Sequence, residues 1–386
     1  MKVLYISGMY PTPDYPQKGI FCHEQVKALK QIGVDVDVVV PMTIYDKEYK
    51  KRTWNYEGVE IQYIRFFKFP GVKRYEQIGR SLYVSLLLSG INFRKYDIIH
   101  ADAPLPAGDA ALRLSNKYGI PFIVHGHGLD VFFDESYKDA PNCQRIVEVC
   151  KKVYKQAEAV IGVSQKVLDC IQKRIDIREK GKVVYNGVDI DKFYPTDKKS
   201  EEKYILATGN LIALKGHDDT IKAFAELKKA GIVDIRLKIA GRGPLEKELK
   251  ELTKKLGIIE SVDFLGYVSY EKVAELMRNA FLFCLPSWYE ALGCIYWETM
   301  ASGVPTIGCY DNGIDEIIKD SVNGYLVHGR SHHEIYDKMM LLLEGNNYSI
   351  ISENARRTIE DHYTWSDSAR RLKHIYTHVM RNIHGN

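Results

Sequence analysis

No Cys-x-x-Cys pair occurs in this 386-residue chain; its seven cysteines, at 22, 143, 150, 170, 284, 294 and 309, are scattered. An odd, unclustered set argues against both a disulfide framework and a zinc site, and predicts a reducing, cytoplasmic setting. Long apolar runs are also missing. The nearest, VSLLLSGI at 84–91, falls well short of the roughly 18 residues that cross a bilayer, so any membrane contact is expected to be peripheral. The opening MKVLYISGMYP holds too brief an apolar run for a signal peptide and reads as a first buried strand. Charge of one sign is scarce: the net charge of +4 suits an anionic ligand or membrane surface but is too weak to imply nucleic acid, for which no motif is present. G-x-G-x-x-G is never completed, because GHG (126–128) and GRG (241–243) both stop short; this argues against the dinucleotide fingerprint and with it a dinucleotide-dependent oxidoreductase. The Asp-x-Asp strings at 35–37 and 189–191 fall in a predicted strand and a linker, and neither reads as a metal site.

What the chain does have is a hydrophobic fraction of 45% beside 27% charged residues, the composition of a globular protein long enough for two separate cores. Short apolar strands alternate with amphipathic helices throughout. KVLYIS, VDVDVVV, DIIHA, PFIVH and AVIGVS lie in the first half; YILATG, IRLKIAG, VDFLG, FLFCLP and VPTIG lie in the second. Near-continuous apolar strands between helices predict parallel sheets covered on both faces, here an α/β chain of two doubly wound, Rossmann-like domains. The predicted domains are 1–190 and 191–364, joined by a charged, proline-containing linker at 186–203. The last helix, from Trp365, carries an apolar stripe of Trp365, Ala369, Leu372, Ile375, Tyr376 and Val379, and 365–386 is expected to cross back onto the first domain.

The densest signal is PSWYEALGCIYWETMASGVP at 286–305, where Glu290 and Glu298 bracket Gly293. It reads as strand end, glycine turn and short helix, with one carboxylate before the helix and one inside it. The free N–H groups and dipole of that helix start suit a diphosphate. The two glutamates stand at most about 12 Å apart at helical rise. That is wide for paired catalytic carboxylates, which need roughly 5 to 10 Å; it better suits gripping hydroxyls at both ends of a nucleotide sugar.

Four further motifs keep a fixed order with this one: YNGVD (185–189), NLIALKG (210–216), IAGRGP (239–244) and NGIDEIIKDSVNGYLV (312–327). With EALGCIYWE they resemble the retaining nucleotide-sugar glycosyltransferases of family 4, which have the GT-B fold. The resemblance covers nearly the whole chain, including KGIFCHEQVKAL (18–29), DIIHAD (97–102) and HGLD (127–130). It implies two Rossmann-like domains facing across a cleft, with the donor held mainly by the second and the acceptor by the first. It also implies that no metal or other cofactor is needed.

Residue by residue, the resemblance makes Lys215 the contact to the donor phosphates, where a cation can neutralise charge developing on a departing diphosphate. Glu298 would accept from both ribose hydroxyls, and Glu290 would face the hydroxyls of the donor sugar beside Ala291 and the Leu292 and Gly293 amides. Gly241, Tyr267 and Val268 would line the nucleotide, with base recognition relying on backbone around Gly266 to Val268. Many family members carry an arginine five residues before the lysine; here Asn210 occupies that position and brings no charge. Arg242, in a turn whose middle residue is often acidic in relatives, is the candidate to replace it.

In the first domain His127 is expected beside the transferring sugar and, with Lys215 and Glu290, makes up the expected catalytic set; His125 is expected to be buried. Gly19 resembles the flexible loop that approaches donor and acceptor. Phe21, His100, Asp102 and Asp130 are expected on the acceptor side, Asp102 standing where many relatives carry a second histidine. The implied mechanism is front-face attack, the leaving phosphate oxygen helping to take the acceptor's proton. The acceptor would be a saccharide or lipid-linked saccharide of a bacterial capsule, exopolysaccharide or lipopolysaccharide. RFFKFPGVKRYEQIGR (65–80) interleaves four aromatics with five basic residues, which suits an anionic membrane at its cytoplasmic face. Other readings are an inactive nucleotide-sugar-binding scaffold and a GT-B sugar epimerase, but an epimerase would lack the KGIF loop and the EALG turn.

Overall fold

The computed structural model describes residues 1–46, 52–68, 74–196 and 202–384. The chain forms two compact units, Met1–Gly187 together with the segment from Trp365 onward, and Val188–Thr364. The boundary falls just before the expected 190 because Val188 bridges Thr364 and its N–H donates to the Tyr363 carbonyl at 3.0 Å. The expected linker is folded at its start: Phe193 is fully buried, and Asp189 accepts from the Asp191 and Lys192 amides. Its residues 197–201 lie outside the described residues.

In the first unit the chain runs β1 (Lys2–Ile6), α1 (Ile20–Gln31), β2 (Asp35–Thr43), β3 (Thr53–Tyr56), β4 (Val59–Phe66), α2 (Ile78–Leu87), β5 (Ile98–Asp102), α3 (Asp109–Tyr118), β6 (Phe122–Gly126), α4 (Cys143–Gln156), β7 (Ala159–Gly162), α5 (Gln165–Gln172) and β8 (Gly181–Val183). The sheet order is β3-β4-β2-β1-β5-β6-β7-β8, parallel except for the β3–β4 hairpin. Central β5 is buried at all five positions, as a strand covered on both faces must be.

The second unit comprises β9 (Tyr204–Thr208), α6 (His217–Lys229), β10 (Arg236–Ala240), α7 (Glu246–Lys255), β11 (Val262–Gly266), α8 (Tyr270–Asn279), β12 (Leu282–Cys284), α9 (Cys294–Ala301), β13 (Thr306–Cys309), β14 (Tyr325–Val327), α10 (His332–Glu344) and α11 (Tyr348–His362). Its sheet is wholly parallel, in the order β11-β10-β9-β12-β13-β14. From β9 the winding goes outward through β10 and β11, then restarts on the other side at β12. Loops leaving β9 and β12 therefore meet at the point where the winding reverses, the place beyond the carboxyl ends of the strands where doubly wound sheets take ligands. Finally α12 (Trp365–His384) returns to the first unit, where Ala369, Leu372, Ile375, Tyr376 and Val379 join the core with Val26 and Leu29 of α1.

Candidate active site

Strand-end loops of the second unit are stitched edge to edge. The Gly209 amide donates to the Ala240 carbonyl at 3.0 Å, Leu211 to Arg242 at 2.9 Å, Gly241 to Gly266 at 2.7 Å and Trp288 to Leu214 at 3.1 Å. Gly241 is required by this packing: a Cβ there would stand 1.9 Å from the Gly209 carbonyl oxygen, at a φ of +145°. Asn210 is exposed beside this seam.

The stitching sets Lys215, on the loop after β9, against Glu290, on the loop after β12, and the two form an ion pair with side chains 19% and 18% exposed. Glu290 is held from its backbone. Its N–H donates to Asn312 Oδ1 at 2.9 Å, and the Asn312 amide donates in turn to the Ser287 and Tyr310 carbonyls, each at 3.0 Å. Gly293 then turns the chain into α9 at a φ of +78°; a Cβ there would lie 2.6 Å from the Tyr296 ring and 3.1 Å from Glu290 Cγ. Leu292 is buried, so only its backbone is available to a ligand, while Ala291 is half-buried. His217, which opens α6, is 2% exposed; burial pushes its pKa down to about 4, so it stays neutral beside Lys215 and adds no second cation.

Glu298, inside α9, is half-buried and accepts from Tyr270 Oη at 2.7 Å. Burial raises its pKa to about 7, opposed by the Tyr270 hydrogen bond and the Lys192 charge. A carboxyl raised in the folded state favours folding below its unfolded pKa and loses that contribution as pH climbs through 7. Melting temperature is therefore expected to fall by a few degrees between pH 5 and 8 relative to Glu298→Gln; parallel melting profiles for the two proteins would contradict this.

Arg242 and Tyr267 are both exposed, with the guanidinium 5.9 Å from the ring centroid, and Val268 is half-buried beside them. The structure thus brings together Lys215, Glu290 and Gly293 as one contact group and Arg242 with Tyr267 as another. Asn312 and Tyr270 are additions: the first lies in the NGIDEII motif, but nothing local marks either as a partner of the glutamates.

In the first unit the site residues gather where β5 and β6 end. Gly19 caps α1 at a φ of +62°, close against the Met9 backbone. The Phe21 ring centroid lies 5.1 Å from that of His127. His127 is turned inward, its Nε2 2.9 Å from Asp102 Oδ1. His125 is fully buried, as expected. His100 departs from the expectation of an acceptor-facing residue: it is fully buried, with Nδ1 2.6 Å from Tyr376 Oη of α12, because β5 is covered on both faces. Asp130 is engaged locally: its carboxylate accepts from the Glu135 and Ser136 amides and the Ser136 hydroxyl, fixing its own turn.

Residues 19–192 match the family model described as Glycosyltransferase Family 4, and residues 189–360 match that described as Glycosyl transferases group 1. An uncharacterized glycosyltransferase of Methanocaldococcus jannaschii is 26% identical over 398 aligned residues, covering 98% of this chain and 99% of that protein. Among solved structures, sucrose-phosphate synthase from Thermosynechococcus elongatus superposes with a TM-score of 0.79 at 18% identity, covering 99% of both chains. Anabaena HepE in complex with UDP and glucose gives 0.73 at 18% identity, over 98% of this chain and 99% of that one.

Proposed function

We propose that this chain, which belongs to the group 1 glycosyltransferases of family 4 and has their GT-B fold, transfers a hexosyl unit with retention from a UDP- or GDP-sugar to a saccharide or lipid-linked acceptor of a cell-surface polysaccharide. The observation that carries the reading is the Lys215–Glu290 pair, held beside the turn into α9 at the point where the second sheet reverses its winding. UDP as the carrier is supported by the HepE complex, whose fold this chain shares.

In this reading the sugar–phosphate bond breaks as the acceptor oxygen bonds to the same face of the anomeric carbon, and the acceptor's proton passes to the leaving phosphate oxygen. Lys215 offsets the charge that develops there, without a metal ion, and Glu290 orients the sugar through its hydroxyls. The free protein keeps Lys215 occupied by Glu290, so an arriving diphosphate must compete for the ammonium. Glu290→Gln is therefore expected to bind UDP as tightly as the native chain or more so, while UDP-sugar transfer falls about 100-fold. Calorimetric titration beside a transfer assay checks this; weaker UDP binding would count against the assignment.

A lipid-linked acceptor is supported by the surface around α2. Phe67, Val84 and Leu88 are 41%, 47% and 82% exposed, and Phe67 and Val84 line a shallow cavity with Arg74 and Arg80. Within the aromatic and basic stretch at 65–80, residues 69–73 lie outside the described residues. No helix among the described residues is long and apolar enough to cross a membrane. The protein is expected to sediment with vesicles containing anionic lipid at low salt and to be released at high salt; equal recovery with neutral vesicles would remove this support.

A further inference from the structure

Asp102 closes β5 in the first unit, where the winding of that sheet reverses between β1 and β5. It is 4% exposed, and its carboxylate accepts from Tyr5 Oη at 3.1 Å, His127 Nε2 at 2.9 Å and Cys22 Sγ at 3.2 Å, with His100 Nε2 3.4 Å away. Among the described residues its ion-pair partners are His100 and His127; no lysine or arginine reaches it. Burial pushes the carboxyl up, but the facing histidines more than offset this and hold it well below the usual carboxylate range.

The three histidines around it differ in what they have left to offer. His100 is fully buried and already bonded through Nδ1 to Tyr376. His125 is also fully buried, its ring centroid 4.1 Å from that of His127, and among the described residues neither of its nitrogens has a partner. Burial lowers the pKa of both, which leaves them neutral. His127 alone joins the Phe21 ring to the carboxylate, and its side chain is 6% exposed against 0% for His100. An ionised carboxylate only accepts, so the ring nitrogen facing it must carry a hydrogen. In a neutral ring the opposite nitrogen is then an acceptor, and the buried His127 Nδ1 has no hydrogen-bond partner among the described residues.

We infer that Asp102 is a positioning residue that locks His127 in its Nε2–H tautomer and leaves Nδ1 to accept from a sugar hydroxyl. The hydroxyl rests on the glycosyl-transfer reading above; the tautomer does not, since it belongs to the free protein. Long-range proton–nitrogen spectra of the full chain without ligand, with the His127 signals assigned by their loss in His127→Ala, are expected to show hydrogen on Nε2. Hydrogen on Nδ1, whether in place of Nε2 or on both nitrogens at once, overturns the lock.

Asp102→Asn keeps the shape and an accepting oxygen but removes the charge. In transfer assays with UDP-glucose it is expected to lose about ten-fold in kcat, with the donor KM within about two-fold, because only the charge-assisted part of the bond is lost. In a His127→Ala background the same change is expected to cost less than about two-fold, since the pair acts as a unit. A ten-fold loss that persists in that background gives Asp102 a role independent of His127 and overturns the inference. Should the native chain transfer no sugar from any nucleotide donor, the glycosyl-transfer reading fails while the spectrum still decides the tautomer.

Discussion

Lys215→Ala is expected to lower kcat/KM for sugar transfer by about 100- to 1,000-fold, the scale on which one preorganised charge-stabilising group acts. The ammonium lies at the end of the central strand β9, on a loop tied to the next by the Trp288–Leu214 backbone bond, so its place is fixed before a ligand arrives. Removing it also leaves Glu290 without its counter-ion, and a diphosphate would then meet an uncompensated carboxylate. UDP affinity should fall with the rate. Lys215→Arg restores the charge but not a compact ammonium, and should recover only part of the activity. Steady-state kinetics and titration on the three proteins measure this; Lys215→Ala activity within about three-fold of native would contradict the role.

The second large effect is expected at a residue that need touch no ligand. Asn312 is 2% exposed and spends both ends of its amide on the backbone around Glu290. In Asn312→Ala the Glu290 N–H and the Ser287 and Tyr310 carbonyls lose their side-chain partner together, at a combined cost of about 2–5 kcal/mol. In a unit of this size that amounts to a melting shift of roughly 10 °C. The loosened loop no longer holds Glu290 against Lys215, so kcat should drop about ten-fold even where the fold survives. Differential scanning calorimetry with a transfer assay below the transition measures both; an unchanged melting temperature would show that Asn312 does not carry the loop.

β1, β2, β5, β6 and β7 of the first sheet and β9 to β13 of the second are legible because buried parallel strands are written as apolar runs, whereas the three-residue β8 and β14 are too short to stand out; the placing of Lys215 and Glu290 on strand-end loops and of Glu298 inside α9 is legible from the glycines and strand ends that flank them. The β3–β4 hairpin escapes a search for apolar runs; its sign is the period-two pattern of TWNY and VEIQYIRF around Gly58. Asn312 and Tyr270 were not legible as partners of the glutamates, since they reach across 22 and 28 residues of chain and only the folded sheet brings them near. For His100 the strand itself is legible as an apolar run, and its burial follows from the fold: on β5, covered on both faces, the His100 ring has no side left for a ligand. Asp130 illustrates a local competitor, an aspartate before FFDES whose carboxylate is consumed by the amides of its own turn.

The central claim is that the nucleotide's diphosphate lies beyond the carboxyl ends of β9 and β12, on Lys215 and at the turn into α9. A crystal structure of the chain with UDP tests it most directly. The account predicts phosphate oxygens about 3 Å from Lys215 Nζ and from the amides at the start of α9, with both ribose hydroxyls on Glu298. UDP bound elsewhere, with Lys215 still paired to Glu290, would contradict it.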